Sequence, residues 1–359
     1  MFIRPNSIWS QFLERVVEDR DLFFFTLATI AALLSFIQRF IGDFVWEIVL
    51  ACLTLMFYSF GVVFYLRRHL RTARQLSSIK HIPVVCVVGK KNFTEAQRTF
   101  EQAKGAIEKA VGFSDFAGVE RFFKINYQRT LVYQGAPLPE ETPREWEELI
   151  DTVQGQVDEF ADALPGSKLY HIFIQGPASL ALGLGAIFGW KHPVIVYQWA
   201  AGEYKPVLDL RGNPRRIKDL VEQGHRFIKV PRDAFDGLTE DTAVVLGMAG
   251  HPPWGEVEGY LRNVLKVNWK TVAVENTYGG TLREEDWVPV VQELYTVFYE
   301  LHNNPNVRRI HLFHSMPVAL AFGLGMSLGT FMPVTVYNWK AAESTYYPVL
   351  KLNELKSWM

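Results

Sequence analysis

The sequence predicts an α/β protein: a membrane hairpin of two helices, followed by two fused α/β halves of common ancestry. Three observations predict it. Two long stretches near the N-terminus carry no charge; a run of motifs recurs at a constant offset of 140 residues; and both copies alternate strand and helix signals. The 359 residues have a formal net charge of −1 and only two cysteines, which excludes a disulfide scaffold and a disordered chain. The same balance argues against a protein that coats a DNA or RNA polymer, which needs a large excess of Lys and Arg, while leaving room for one small anion.

Residues 1–80 form the first unit. Asn6–Glu18 has an amphipathic stripe suited to lying on a membrane surface. Leu22–Ile37 and Ile48–Leu66 are uncharged, and the second, at 19 residues, reaches about 28 Å as a helix, close to the hydrocarbon thickness. Gly42-Asp43 suits the turn between them. Arg67, Arg68, Arg71, Arg74 and Lys80 follow directly, and the positive-inside rule puts that side, and both termini, in the cytoplasm. The expected location is therefore a membrane, crossed twice. Glu47 reads as a first-turn dipole partner rather than a pore carboxylate. Cys52 and Cys86 sit in apolar runs and suggest neither a metal site nor a nucleophile.

Residues 81–210 and 241–359 are the two halves, with 211–240 as connector. His171/His311, Phe173/Phe313, Pro177/Pro317, Gly183/Gly323, Gly185/Gly325, Gly189/Gly329 and Pro193/Pro333 all match at the same offset, and VxVYxW ends both runs at Trp199 and Trp339. Val84–Val88 and Ala243–Leu246 read as first strands. Thr94-Glu-Ala-Gln97 reads as a capping box opening a helix, with the corresponding helix from Glu256. Phe122–Tyr127 and Thr271–Val274 read as further strands, and long helices begin near Arg144 and Glu285. Such alternation implies mostly parallel sheets covered by helices, one sheet per half.

Leu169–Trp190 and Ile310–Trp339 lack Asp, Glu, Lys and Arg, so hydropathy alone makes them spans. Each nevertheless breaks into a strand, a Pro-initiated helix and a second strand, as a sheet buried on both faces requires. The GxGxxxG at Gly183, Gly185 and Gly189 imitates a dinucleotide fingerprint but falls inside the helix, where small residues serve close helix–sheet packing. His171 and His311 read as hydrogen-bonded core residues.

The repeated HxF…P…LAxGLG…PVxVY…YxPVL pattern resembles the SAVED domain, two fused Rossmann-like (CARF-like) halves that sense cyclic oligonucleotides in bacterial anti-phage CBASS systems. The resemblance covers residues 81 to 352, and the hairpin ahead of it resembles the transmembrane-SAVED effector class. It implies a receptor for a cyclic di- or trinucleotide made by a cognate nucleotidyltransferase. Ligand binding would assemble homo-oligomers and disrupt the lipid bilayer, with no cofactor, metal or catalytic step.

Ligands in α/β units collect beyond the carboxyl ends of strands. The loops there supply the candidate ligand-binding residues. Lys90, Lys91 and Asn92 follow the first strand; Gln175, Gly176 and Ser179 surround Pro177; His251 and Ser315 stand in the second copy; Asn276 and Tyr278 follow its middle strand. Two readings stay open for Lys90 and Lys91, phosphate neutralisation or a solvated turn, and two for Trp199 and Trp339, base stacking or packing. Lys90-Lys91 has no basic counterpart around Gly250-His251, and such diverged halves suit an odd-numbered ring, so a cyclic trinucleotide is favoured over a dinucleotide. The chain has no HExxH or P-loop. The alternatives are a membrane-anchored enzyme that cleaves its ligand or uses a nucleotide cofactor, and a tethered adaptor that permeabilises nothing.

Overall fold

The computed structural model describes residues 78–356, apart from 223, 280, 281 and 283–285, together with the isolated positions 49, 52 and 56. The expected amphipathic segment and the two expected spans lie outside the described residues, save Val49, Cys52 and Met56, which are helical and exposed. Among the described residues no helix is long and apolar enough to cross a membrane. Ser77–Met359 forms one compact unit with a mixed α/β fold and two sheets.

The first sheet comprises β1 (Lys80–Val88), β2 (Leu131–Gln134), β3 (Lys168–Gln175), β4 (Val194–Ala200) and β5 (Glu203–Asp209), in the order β2-β1-β3-β4-β5. β1 to β4 are parallel, and β5 closes an antiparallel hairpin on β4. Its helices are α1 (Phe93–Val111), α2 (Phe116–Phe123), α3 (Pro143–Asp162) and α4 (Ala178–Phe188). From the connector, β6 (Ile228–Lys229) joins the second sheet. That sheet contains β7 (Asp241–Gly247), β8 (Lys270–Asn276), β9 (Arg309–Ser315), β10 (Val334–Lys340) and β11 (Thr345–Lys351), in the order β11-β10-β9-β7-β8-β6. Its helices are α5 (Trp254–Gly259), continued by a π-helical turn at Tyr260–Leu265, α6 (Val288–Asn303) and α7 (Val318–Leu328). Both hairpins slip register at one place, between Val196 and Tyr197 and between Val336 and Tyr337. A shared bulge at matched positions is what a duplicated ancestor leaves.

α4 and α7 have 11 residues each. At 1.5 Å per residue that is about 16 Å, half a bilayer core. Ser179–Phe188 and Ala319–Leu328 are buried throughout, so the uncharged runs are strand and core helix. The glycines do permit close packing, Gly183 and Gly323 against both a helix and a strand of a sheet, Gly185 and Gly325 between helices. A Cβ on Gly185 would meet the Phe322 carbonyl oxygen, and one on Gly325 the Leu182 carbonyl oxygen. Gly183 lies against Ile150 of α3 and Leu350 of β11, Gly323 against Val291 of α6 and Leu208 of β5. The four central helices thus fill the space between the sheets, and each glycine pair reaches both halves.

Two local expectations are corrected. Phe122–Tyr127 is not a strand. Phe116–Phe123 is helical because the Asp115 carboxylate accepts from the Gly118 N–H (3.1 Å) and because Phe116 and Val119 turn one apolar face inward. The following strand is β2, reached through a 3-10 turn at Tyr127–Thr130. The capping box at Thr94 is replaced by a cap two residues earlier. Asn92 is extended, and its side-chain oxygen accepts from the Thr94 N–H at 2.9 Å.

Candidate functional site at the seam between the halves

The parallel strands of each half finish on one edge, and α4 and α7 start directly after β3 and β9, with Pro177 and Pro317 as their N-caps. Because α4 and α7 cross, each helix begins beside the strand end of the opposite half. Ser179, in the first turn of α4, meets His314 of β9 (2.9 Å) and donates to Asn338 Oδ1 of β10 (3.0 Å). Reciprocally, the Ala319 N–H in the first turn of α7 donates to Gln198 Oε1 of β4 (3.2 Å). Gln198 and Asn338 are equivalent in the repeat, and each also donates from its amide nitrogen to the carbonyl of the next tryptophan. One amide caps a helix through its backbone, the other through a serine, so the two ends of the seam are related but not identical.

The Ser179 proton lies on Asn338, so the His314 Nε2–H donates to the Ser179 oxygen, and burial pushes the His314 pKa down to about 4. The serine and histidine stand at the distance of a nucleophile and its base, yet Ser179 is fully buried, and its contacts join the halves. Asn338 Nδ2 donates to Glu140 Oε1 (3.2 Å), in the loop after β2. Lys340, two residues further along β10, pairs with Glu141 of that loop and with Glu343 Oε1 (2.6 Å).

Of the candidate residues, Ser179 lies in this seam. Lys90, Lys91 and Asn92 form the exposed turn after β1, where the Lys90 carbonyl accepts from the Tyr133 hydroxyl (2.5 Å) and Asn92 caps α1. Gln175 is tied within the first half, donating to the Tyr204 hydroxyl (2.9 Å) and accepting from Thr99 (3.3 Å). Gly176 lets the chain pass the Val88 side chain, 3.3 Å from where its Cβ would be. The Ser315 carbonyl accepts from the Met248 N–H (2.7 Å), joining β9 to the loop after β7. His251 is exposed and bonded to Glu256 (2.8 Å). Asn276 is buried and caps its own turn by accepting from the Tyr278 N–H (2.9 Å), which leaves the Tyr278 ring exposed.

Trp199 and Trp339 stand edge-on to Tyr204 (4.8 Å) and Tyr346 (4.9 Å). Alternation along β4 and β10 puts them on the face opposite Gln198 and Asn338, away from α4 and α7. Trp199 keeps 39% of its surface exposed.

Sequence reasoning missed Gln198, Asn338, His314, Lys340, Glu140 and Glu141 as site residues. The paired amides inside VxVYxW were the available signal. His171 and His311 are hydrogen-bonded core residues, as expected. His171 bonds Tyr197 (3.0 Å) and His81 (2.9 Å); His311 bonds Tyr337 (3.1 Å) and Asp241 (2.9 Å). Burial depresses His171 to about 3 and His81 to about 4. Among the described residues no group of three or more His, Cys, Asp or Glu could hold a metal ion.

No curated protein matches the chain. Among solved structures, the Acinetobacter baumannii Cap4 SAVED/CARF-domain containing receptor with the cyclic trinucleotide 3'3'3'-cAAA is 16% identical, with a TM-score of 0.47, over 60% of this chain and 46% of that one. The same receptor with 2'3'3'-cAAA gives 16% identity and a TM-score of 0.44 over 59% and 44%. The Moraxella osloensis Cap4 receptor gives 14% and 0.42 over 77% and 50%. The chain thus spans half or less of the length of the receptor chains in these three structures. Residues 214–352, the connector's greater part and the second half to the end of β11, are matched by the family model of SAVED, the SMODS-associated and fused to various effectors sensor domain.

Proposed function

We propose that residues 81–359 are a receptor for a cyclic oligonucleotide second messenger, and that the protein is an anti-phage effector of the CBASS kind. The reciprocal seam is the observation that carries this reading. Two helix N-termini, which favour anions, start at one edge between two halves, each held by an amide from the other half. A ring of phosphates that touches both halves would bind there. The halves differ at the seam, Ser179 and Asn338 against Ala319 and Gln198, and this divergence suits a cyclic trinucleotide better than a two-fold symmetric dinucleotide. The SAVED match over residues 214–352 supports the same ligand class.

The messenger is proposed to come from a cognate nucleotidyltransferase. Its binding drives head-to-tail homo-oligomerisation, and residues 22–37 and 48–66, anchored in the bacterial inner membrane with the sensor in the cytoplasm, then disrupt the bilayer. No bond need be made or broken.

The test is a thermal-shift panel of cyclic di- and trinucleotides, including 3'3'3'-cAAA, on the full chain in detergent. A ligand at 100 times its Kd stabilises by about 2.7 kcal/mol, and a shift for one ring with none for its linear form is expected. A panel without any shift overturns the receptor reading. Dye release from liposomes carrying the protein then separates membrane disruption from simple tethering. Linearised ligand after incubation would make the protein an enzyme.

A further inference from the structure

Asn338 and Lys340 lie two residues apart at the carboxyl end of β10 and therefore share a face. It is the face that meets α4, since Ser179 donates to Asn338. Both side chains are engaged by one segment of the other half, the loop between β2 and α3. Glu140 accepts from Asn338 Nδ2 (3.2 Å), and Glu141 pairs with the Lys340 ammonium, whose other carboxylate partner is Glu343 (2.6 Å). The loop is fastened close by: Trp146 Nε1 donates to the Pro139 carbonyl (2.9 Å), and Leu138 is buried. Glu141 itself is exposed over nearly half of its side chain, so the tip that reaches across is in contact with solvent.

Carboxylates and phosphodiesters offer the same anionic oxygens to amide and ammonium donors. Two consecutive carboxylates thus sit on donors beside a helix N-terminus, where an anionic ligand would also find its best partners. The repeat has Ala200 where the second half has Lys340, so this cation belongs to one half alone. Lys90 and Lys91 belong to the other and are exposed.

We propose that Asn338 and Lys340 are a phosphate-binding pair, and that Glu140 and Glu141 compete with phosphate for it. Phosphodiester binding at the pair releases the loop from β10, which couples occupancy of the seam to a change at the edge of the first sheet. The identity of the phosphodiester as a cyclic oligonucleotide rests on the function proposed above; the anion-binding pair does not.

The test measures the affinity of the full chain for 3'3'3'-cAAA and, separately, for inorganic tripolyphosphate. The variants are Glu140→Gln with Glu141→Gln, Lys340→Gln, and a control with the same charge change elsewhere, Glu108→Gln with Asp151→Asn. The loop variant should bind about tenfold tighter or better, and Lys340→Gln about tenfold weaker, while the control matches the parent. Hydrogen exchange over residues 135–142 should speed up on addition of the probe.

An unchanged or weaker loop variant, or a control that gains as much, overturns the proposal. If the parent binds tripolyphosphate in this pattern but no cyclic oligonucleotide, the pair stands and the receptor reading fails. If 3'3'3'-cAAA binds equally to the parent and all three variants, the receptor reading stands and the pair fails. Circular dichroism of each variant establishes that a loss at Lys340→Gln is not a loss of fold.

Discussion

A Cβ placed on Gly185 would lie 2.0 Å from the carbonyl oxygen of Phe322, and one on Gly325 2.0 Å from that of Leu182. The obstacles are backbone atoms inside two buried helices, so no rotamer change relieves them. Gly185→Ala and Gly325→Ala should each cost about 3 kcal/mol or more, the upper end for overpacked cores. Gly155→Ala, in exposed α3 surface with nothing near its Cβ, should be neutral or stabilising by up to ~1 kcal/mol. Denaturant midpoints of the three variants settle it; a Gly185→Ala protein with the parent's midpoint would refute the crossing.

Glu293 is buried in α6, and its carboxylate accepts from the backbone N–H groups of Arg226 (2.7 Å), Phe227 (2.8 Å) and Ile228 (3.0 Å). It thereby holds the connector and β6 in place. Glu293→Gln keeps the shape but turns a donor toward donors, at a cost of about 2–3 kcal/mol. Amide exchange at 226–228 should accelerate far more than in β7. Equal protection in parent and variant would show that the strand is held by other means.

Stability should fall with acid before the carboxylates titrate. Burial first, then its neighbours His81 and Arg211, depresses His171 to about 3, and burial depresses His314 to about 4. Both lie below the 6.5 of an unfolded histidine, so between those values the unfolded chain binds protons that the folded one refuses. Stability is therefore complete above about pH 6.5 and drops below it, by about 1.4 kcal/mol per pH unit for each such histidine. Asp241, held low chiefly by its hydrogen bond with Arg309, contributes a further loss only below its ordinary value of 3.8. Urea unfolding at pH 7, 6 and 5 should show this slope, and His314→Gln should reduce it by one proton's worth. An unaltered slope in that variant would mean that His314 is protonated in the folded state.

Lys90 and Lys91 are exposed, so reversing both charges should leave the thermal midpoint intact. Lys90→Glu with Lys91→Glu should nevertheless lower affinity for a cyclic oligonucleotide about a hundredfold, since two attractive contacts become repulsive. The effect should shrink as salt is raised. Unchanged binding would place the ligand elsewhere than beside this turn.

Much of the fold was legible because the two halves share one pattern. The offset of 140 residues paired the strands, Pro177 and Pro317 marked where helices start, and the uncharged runs followed from sheets and helices buried on every side. His171 and His311 were readable as core residues because each shares a strand face with a phenylalanine. Phe122–Tyr127 was not readable: six residues of mixed apolar pattern fit strand or helix, and the Asp115 cap with packing on Phe116 and Val119 chose helix. Likewise Asn92 outcompeted Thr94 as cap, since its extended backbone let it reach the first free amides.

The sequence by itself determined two duplicated α/β halves, their order, and the loops at the strand ends. It also showed that Gln198 and Asn338 are equivalent. Only the tertiary structure decided that these amides hold the opposite helices, that Lys340 is faced by Glu141, and that Gly185 and Gly325 bring α4 against α7. The physical reason is range. Hydrophobic period and caps act over a few residues, whereas the hydrogen bonds across the seam join groups 121 to 198 positions apart, and no local pattern records which of many equivalent faces will meet.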